Sequence, residues 1–137
     1  MRTTIKICGV QSVYLDYLRE FDRVVSKDPA QNRKFVGILL EVNNFSYYAP
    51  LSSPKPKHEF IADTAPDVIK IERGRLGIIN LNNMIPVLPP VIIPIHIARE
   101  PDHRYRQLLM KQMLYVRKNE EAIKKKAKRL YQIVKSR

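Results

Sequence analysis

Between residues 35 and 97 the apolar residues come only in short runs, each cut off by an Asn pair, a glycine or a proline, and this punctuation restricts the fold most. A helix needs about 10–12 residues of sustained periodicity to hold one face to a core, which favours strands here. Residues 35–42 and 45–51 flank Asn43-Asn44 and predict a β-hairpin, because Asn tolerates the left-handed turn geometry. Residues 68–71 and 76–81 read as a second strand pair around Gly74. Residues 84–87 resume an extended path after Asn82-Asn83, with Pro86 excluding a central strand position. Residues 91–97 form a last, Pro-containing strand near an edge. Upstream, residues 4–8 read as a strand. Ser12 reads as the cap of a helix bearing Val13, Tyr14, Tyr17, Leu18 and Phe21. Residues 26–34, with Pro29, and 52–66, with Pro54, Pro56 and Pro66, read as loops.

The character changes at Asp102. Leu109, Met113 and Val116 share one helical face, and Ile123, Ala127, Leu130 and Val134 share another. Asn119 followed by Glu120 and Glu121 marks a new helix start, since Asn caps and acids suit the positive end. The order strand, helix, several strands, helices indicates one α+β domain over residues 1–137. Its sheet is mainly antiparallel and able to close into a small barrel, with basic helices over about 102–136.

Lys and Arg number 25 against 13 Asp and Glu, giving a net charge of +12 and a pI near 10.0. Such an excess favours polyanions, nucleic acid first, although charge alone does not choose DNA, RNA or membrane. Much of it lies in the last third, on Arg104, Arg106, Lys111, Arg117, Lys118 and the lysines beyond. The lone Cys8 excludes an internal disulfide and, set in an apolar stretch, reads as core rather than nucleophile. The start lacks a signal-peptide pattern. The apolar stretch 87–98 is short and broken by Pro89, Pro90 and Pro94, so a cytoplasmic protein without membrane association is expected. No His or Cys spacing suits a metal and no Gly-rich phosphate loop is present, so no cofactor is expected.

Residues 47–58 carry the most chemistry. Here a strand end hands Ser52, Ser53, Lys55, Lys57 and His58 to a loop. Cutting RNA without a metal requires an aligned, deprotonated 2′-hydroxyl, stabilised charge on phosphate and a proton for the leaving 5′-oxygen. Lys55 and Lys57 offer the charge, Ser52 and Ser53 hydrogen bonds to phosphate, and His58 a proton carrier. Ser-Ser-Pro-Lys is also ordinary turn chemistry. His96 reads as structural and His103 as a cap or surface residue. Tyr14, Tyr17, Tyr47 and Tyr48 offer rings for unpaired bases, although such spacing more often marks core.

Five stretches, in order and covering most of the chain, resemble the ToxN/AbiQ family of type III toxin–antitoxin endoribonucleases. They are residues 14–22 (YLDYLREFD), 35–42 (FVGILLEV), 48–55 (YAPLSSPK), 76–86 (LGIINLNNMIP) and 105–112 (YRQLLMKQ). The resemblance implies a partly open β-barrel with flanking helices, similar to the Kid/MazF group. It also implies metal-independent RNA cleavage to 2′,3′-cyclic phosphate and 5′-hydroxyl ends, acting on cellular or phage mRNA. The toxin is held by a repeated pseudoknot RNA antitoxin, which it processes and with which it forms a closed protein–RNA assembly. The family's Thr/Ser-Ser-Pro-Lys pattern falls on Ser52, Ser53, Pro54 and Lys55, and its first-helix tyrosine on Tyr14. The basic residue before the Phe-x-Gly-Ile strand falls on Lys34, with Arg33 as rival, and a loop histidine on His58. Catalysis is therefore expected from Ser53, Lys55, Ser52 and Tyr14. RNA contact is expected from Lys34, Arg33, Lys57 and His58 and from Arg104, Arg106, Lys111, Arg117 and Lys118 on the helices; the general base is not identified. A non-catalytic RNA- or DNA-binding module is the main alternative, and a MazF-like toxin with a protein antitoxin the next.

Overall fold

The computed structural model describes residues 5–25 and 27–136. Strand β1 (Lys6–Val10) leads into helix α1 (Ser12–Arg19), followed by strands β2 (Lys34–Gly37), β3 (Glu41–Val42) and β4 (Phe45–Ser52). Strands β5 (Val68–Lys70), β6 (Ile78–Asn80), β7 (Ile85–Val87) and β8 (Ile92–Pro94) complete an eight-stranded sheet. Helices α2 (His103–Lys118) and α3 (Glu120–Lys135) follow. All pairings are antiparallel, in the order β5-β6-β4-β2-β1-β8, with β3 and β7 also on β4. The ends β5 and β8 do not pair, so the α+β sheet is open, not closed. Among the described residues no helix is long and apolar enough to cross a membrane.

The central hairpin follows from its turn. Asn43 and Asn44 sit at φ 50° and 72°, directly between the paired Val42 and Phe45, matching the two-residue turn whose twist suits antiparallel strands. The expected single run 35–42 divides in two. Val36 lies opposite Ala49 but Glu41 opposite Ser46, so five residues of advance meet three, and the extra length is a bulge. The bulge turns Leu39 into the core. Strand β4 consequently pairs with β3 and β7 along its first half and with β2 and β6 along its second.

Side-chain alternation gives the sheet two apolar faces. Cys8, Val10, Phe35 and Tyr48 face one way and meet Leu15 of α1 with Ile85 and Val87. Ile7, Val36, Ala49 and Leu51 face the other way and pack with Leu109, Val116, Ile123, Ala127 and Leu130 of α2 and α3. Cys8 is fully buried, and desolvation pushes its thiol up to about 12, so it is protonated core, as the sequence indicates.

Caps differ from expectation in two places. Ser12 is the first helical residue and not the cap, which is Gln11; the Gln31 side chain reaches from the following loop and accepts the Ser12 backbone N–H at 2.6 Å. Asn119 divides α2 from α3, but its amide donates back to the Tyr115 carbonyl at 2.9 Å and closes α2 instead of capping α3. Helix α1 ends at Arg19, leaving Phe21 beyond it and exposed. Pro86 lies in β7, which pairs with β4 alone, and Pro94 in the edge strand β8, as their missing N–H groups require.

Candidate RNA-binding groove

A groove of about 450 Å³ opens where β2 begins and β4 ends, at the pair Lys34–Leu51. One wall is the loop before β2, with Lys27, Asp28, Asn32, Arg33 and Lys34. The other is Leu51, Ser52, Ser53 and Lys55, and Tyr105 of α2 completes the lining. The sheet register therefore brings together five of the expected site residues from separate stretches: Arg33, Lys34, Ser52, Ser53 and Lys55.

The first wall is organised by Asp28, only 3% exposed. Its Oδ1 accepts the backbone N–H groups of Asn32 and Arg33, both at 3.0 Å, and its Oδ2 accepts from the Gln31 amide at 3.3 Å. Gln31, at φ 56°, also donates to the Val10 carbonyl at 2.6 Å and so ties the loop to β1. Because the Asp28 carboxylate is engaged by these donors, the cations beside it keep their charge for a ligand. Among the described residues no carboxylate forms an ion pair with Arg33, Lys34 or Lys55. The Arg33 Nε is buried without a hydrogen-bond partner, a cost that an anion in the groove would offset.

The second wall depends on Gly77 and His58. Gly77 has φ +105°, and a Cβ there would collide with the Ser52 carbonyl oxygen, so only glycine lets the two backbones approach this closely. His58 corrects the expectation of a loop imidazole that meets RNA. It is 2% exposed, in a 3₁₀ turn (Pro56–Phe60), and its Nδ1 accepts the Lys55 backbone N–H at 3.2 Å, while the Lys55 carbonyl accepts the His58 N–H at 2.9 Å. Burial first, then the Lys55 and Lys57 ammoniums, hold its pKa below the ordinary 6.5, so it is neutral at neutral pH. His58 thereby fixes the backbone on which Lys55 stands. Lys57 is exposed on the same turn, outside the groove lining.

Tyr14 also stands apart from the groove lining. Its hydroxyl donates to the Pro86 carbonyl at 2.5 Å, and its ring lies against Tyr17 with centroids 6.4 Å apart. The helix cations divide further. Arg106 is engaged with the Glu100 carbonyl at 2.9 Å and the His103 ring. Arg104 and Arg117 are exposed and do not line the groove. Lys111 and Lys118 flank a different cavity of about 430 Å³, with Arg75, Leu114 and Tyr115. His103 is a surface residue beside the true cap, Asp102.

Sequence reasoning missed Asp28, Gln31, Gly77 and Tyr105. Asp28-Pro29 carries a signal, since Asp favours turns in which its side chain accepts nearby backbone N–H groups. Tyr105 lies three residues after the N-cap Asp102, which places it in the first turn of α2; its meeting with the groove depends on tertiary packing.

The family described as toxin ToxN of type III toxin–antitoxin systems matches residues 6–137. Endoribonuclease ToxN of Pectobacterium atrosepticum is 36% identical over 139 residues, spanning 95% of this chain and 81% of that protein. A structure solved for a processed non-coding RNA that regulates a bacterial antiviral system matches with TM-score 0.85 at 31% identity, covering 96% of this chain and 86% of that one. Another, concerned with selective toxin inhibition by a non-coding RNA pseudoknot in bacterial type III systems, matches with TM-score 0.81 at 29% identity, covering 94% and 79%. With the match running from β1 to the end of the chain, this protein belongs to the ToxN family of type III toxin–antitoxin toxins.

Proposed function

We propose that this chain is an endoribonuclease toxin that cuts single-stranded RNA in the groove between Arg33 and Lys55 and is held inactive by an RNA antitoxin in the same groove. The observation that carries this reading is the convergence there of two hydroxyls, Ser52 and Ser53, with Arg33, Lys34 and Lys55, none of which forms an ion pair with a carboxylate among the described residues. Relatives named as endoribonucleases over most of their length supply the reaction class.

The chemistry is a transesterification. The 2′-hydroxyl gives up its proton and its oxygen attacks the adjacent phosphorus, the bond to the 5′-oxygen breaks, and that oxygen takes up a proton, leaving a 2′,3′-cyclic phosphate and a 5′-hydroxyl. Negative charge grows on the non-bridging oxygens in the transition state, where prepositioned donors act most strongly. Lys55 and Ser53 stabilise that charge, with Ser52 in support, while Arg33 and Lys34 hold flanking phosphates. Among the described residues no group of three or more His, Cys, Asp or Glu side chains converges, and the groove's own acid, Asp28, is engaged by backbone donors. In this reading the step is assigned to protein groups without a metal ion, as the family resemblance implies.

The test is end-mapping of RNA incubated with the antitoxin-free protein, with and without excess EDTA. Cleavage that persists in EDTA and leaves cyclic-phosphate and 5′-hydroxyl ends is expected. Uncut RNA would support a binding module instead, and cleavage abolished by EDTA would overturn metal independence. Recovery of a small repeated RNA from the untreated complex is expected, whereas an acidic polypeptide in its place would contradict the RNA antitoxin.

A further inference from the structure

The cations and hydroxyls of the groove meet phosphate and ribose, which every nucleotide shares, so they carry no information about the base. Among the described residues Tyr105 is the sole aromatic one in the groove lining. Its place in the first turn of α2 is fixed from both sides. The Asp102 carboxylate accepts the Tyr105 backbone N–H at 3.1 Å, and Arg106 ties the entrance of the helix to the Glu100 carbonyl at 2.9 Å. The ring packs partly against the sheet core and is partly open to the groove, where the Lys34 ammonium stands 5.6 Å from its centroid. The same ammonium donates to the Asn32 carbonyl at 2.9 Å, so it is held at the groove wall. In the free protein the ammonium thus stands over the ring; an entering strand draws it onto a phosphate and opens the π-surface to a base, an arrangement suited to one unpaired nucleotide.

We infer that Tyr105 is the residue on which an unpaired base of the RNA stacks, making it the base-sensing element of a groove that otherwise reads only backbone. This rests on the groove being the RNA site proposed above. Stacking on the ring and charge on Lys34 act on the same nucleotide, so RNA with a base there is favoured over the same backbone without one. The contact forms in the bound state and persists through the reaction, so its loss falls on KM and Kd more than on kcat.

The test uses the full chain and single-stranded oligonucleotides of one sequence, intact or with one abasic nucleotide at each position in turn. Binding is measured on all-2′-O-methyl versions, which cannot be cut, and cleavage on the ribo versions. In the unaltered protein, one position is expected at which base removal weakens binding by roughly 5- to 150-fold, corresponding to about 1–3 kcal/mol. In Tyr105→Leu that position is expected to lose its effect, with intact RNA bound as weakly as the abasic one, and Tyr105→Phe is expected to restore the difference. A ring that only supports the fold would weaken all oligonucleotides alike and leave the abasic effect unchanged in Tyr105→Leu, which overturns the inference. Absence of any abasic-sensitive position in the unaltered protein overturns it too, even if Tyr105→Leu does not fold. Cleavage without an abasic effect leaves the nuclease reading standing and removes this one. A position-specific abasic effect without cleavage does the reverse.

Discussion

Ser53→Ala is expected to cut RNA about 100- to 1000-fold more slowly at saturating substrate, equivalent to about 2.7–4 kcal/mol of barrier, while the protein folds as before. Ser53 is exposed at the end of β4 and its hydroxyl does not contribute to the core. Removing it costs little stability, yet takes away a hydroxyl from the groove lining. Lys55→Ala is expected to lose at least as much, since an ammonium stabilises growing phosphate charge more than a hydroxyl does. Its thermal midpoint should move little, because the side chain is exposed and the His58 contact is to the backbone. Single-turnover rates with end-labelled RNA, read beside far-UV circular dichroism, check both. A Ser53→Ala protein that cuts at the normal rate would remove Ser53 from the mechanism.

Gly77→Ala is expected to be the most damaging one-methyl change near the site. It combines a left-handed backbone, unfavourable to residues with a Cβ by about 1–2 kcal/mol, with a collision that forces the chains apart at a cost of about 1–3 kcal/mol. The atom struck is the Ser52 carbonyl oxygen, so relief comes only by moving β4 away from the segment before β6. The Gln112 amide, buried beside Gly77 and donating to the Leu76 carbonyl at 2.8 Å, leaves little room for that shift. Loss of roughly 2–5 kcal/mol in urea unfolding is expected, with cleavage impaired even where the protein remains folded. An unfolding midpoint equal to that of the unaltered protein would show that the close approach is not required.

Much of the fold was readable because local chemistry and topology agree. Asn43-Asn44 names its own turn, Pro86 and Pro94 mark strands with limited pairing, and the stripes on α2 and α3 mark buried faces, except that Val134 at the end of α3 is exposed. The bulge after Gly37 was not readable, since 35–42 is apolar throughout and no period within it distinguishes one strand from two. At the candidate site, Ser52, Ser53 and Lys55 are near neighbours at and just beyond a strand end, and Lys34 pairs in register with Leu51 beside them, so the pattern shows their grouping. The burial of His58 was not readable, because an imidazole beside lysines looks equally suited to an open loop and to the capping of a turn. Tyr105 and Asp28 acquire their roles by meeting groups far along the chain, which one-dimensional spacing does not record.

The central claim is that RNA lies in the groove between the 27–34 loop and the end of β4. Ultraviolet cross-linking of an uncleavable 2′-O-methyl oligoribonucleotide, with the joined peptides read by mass spectrometry, addresses it most directly. Cross-links on peptides containing residues 27–34, 51–55 and Tyr105, lost when unlabelled RNA competes, are expected. Cross-links confined to the lysines of α3 and the far side of α2, with none in the groove, would contradict it.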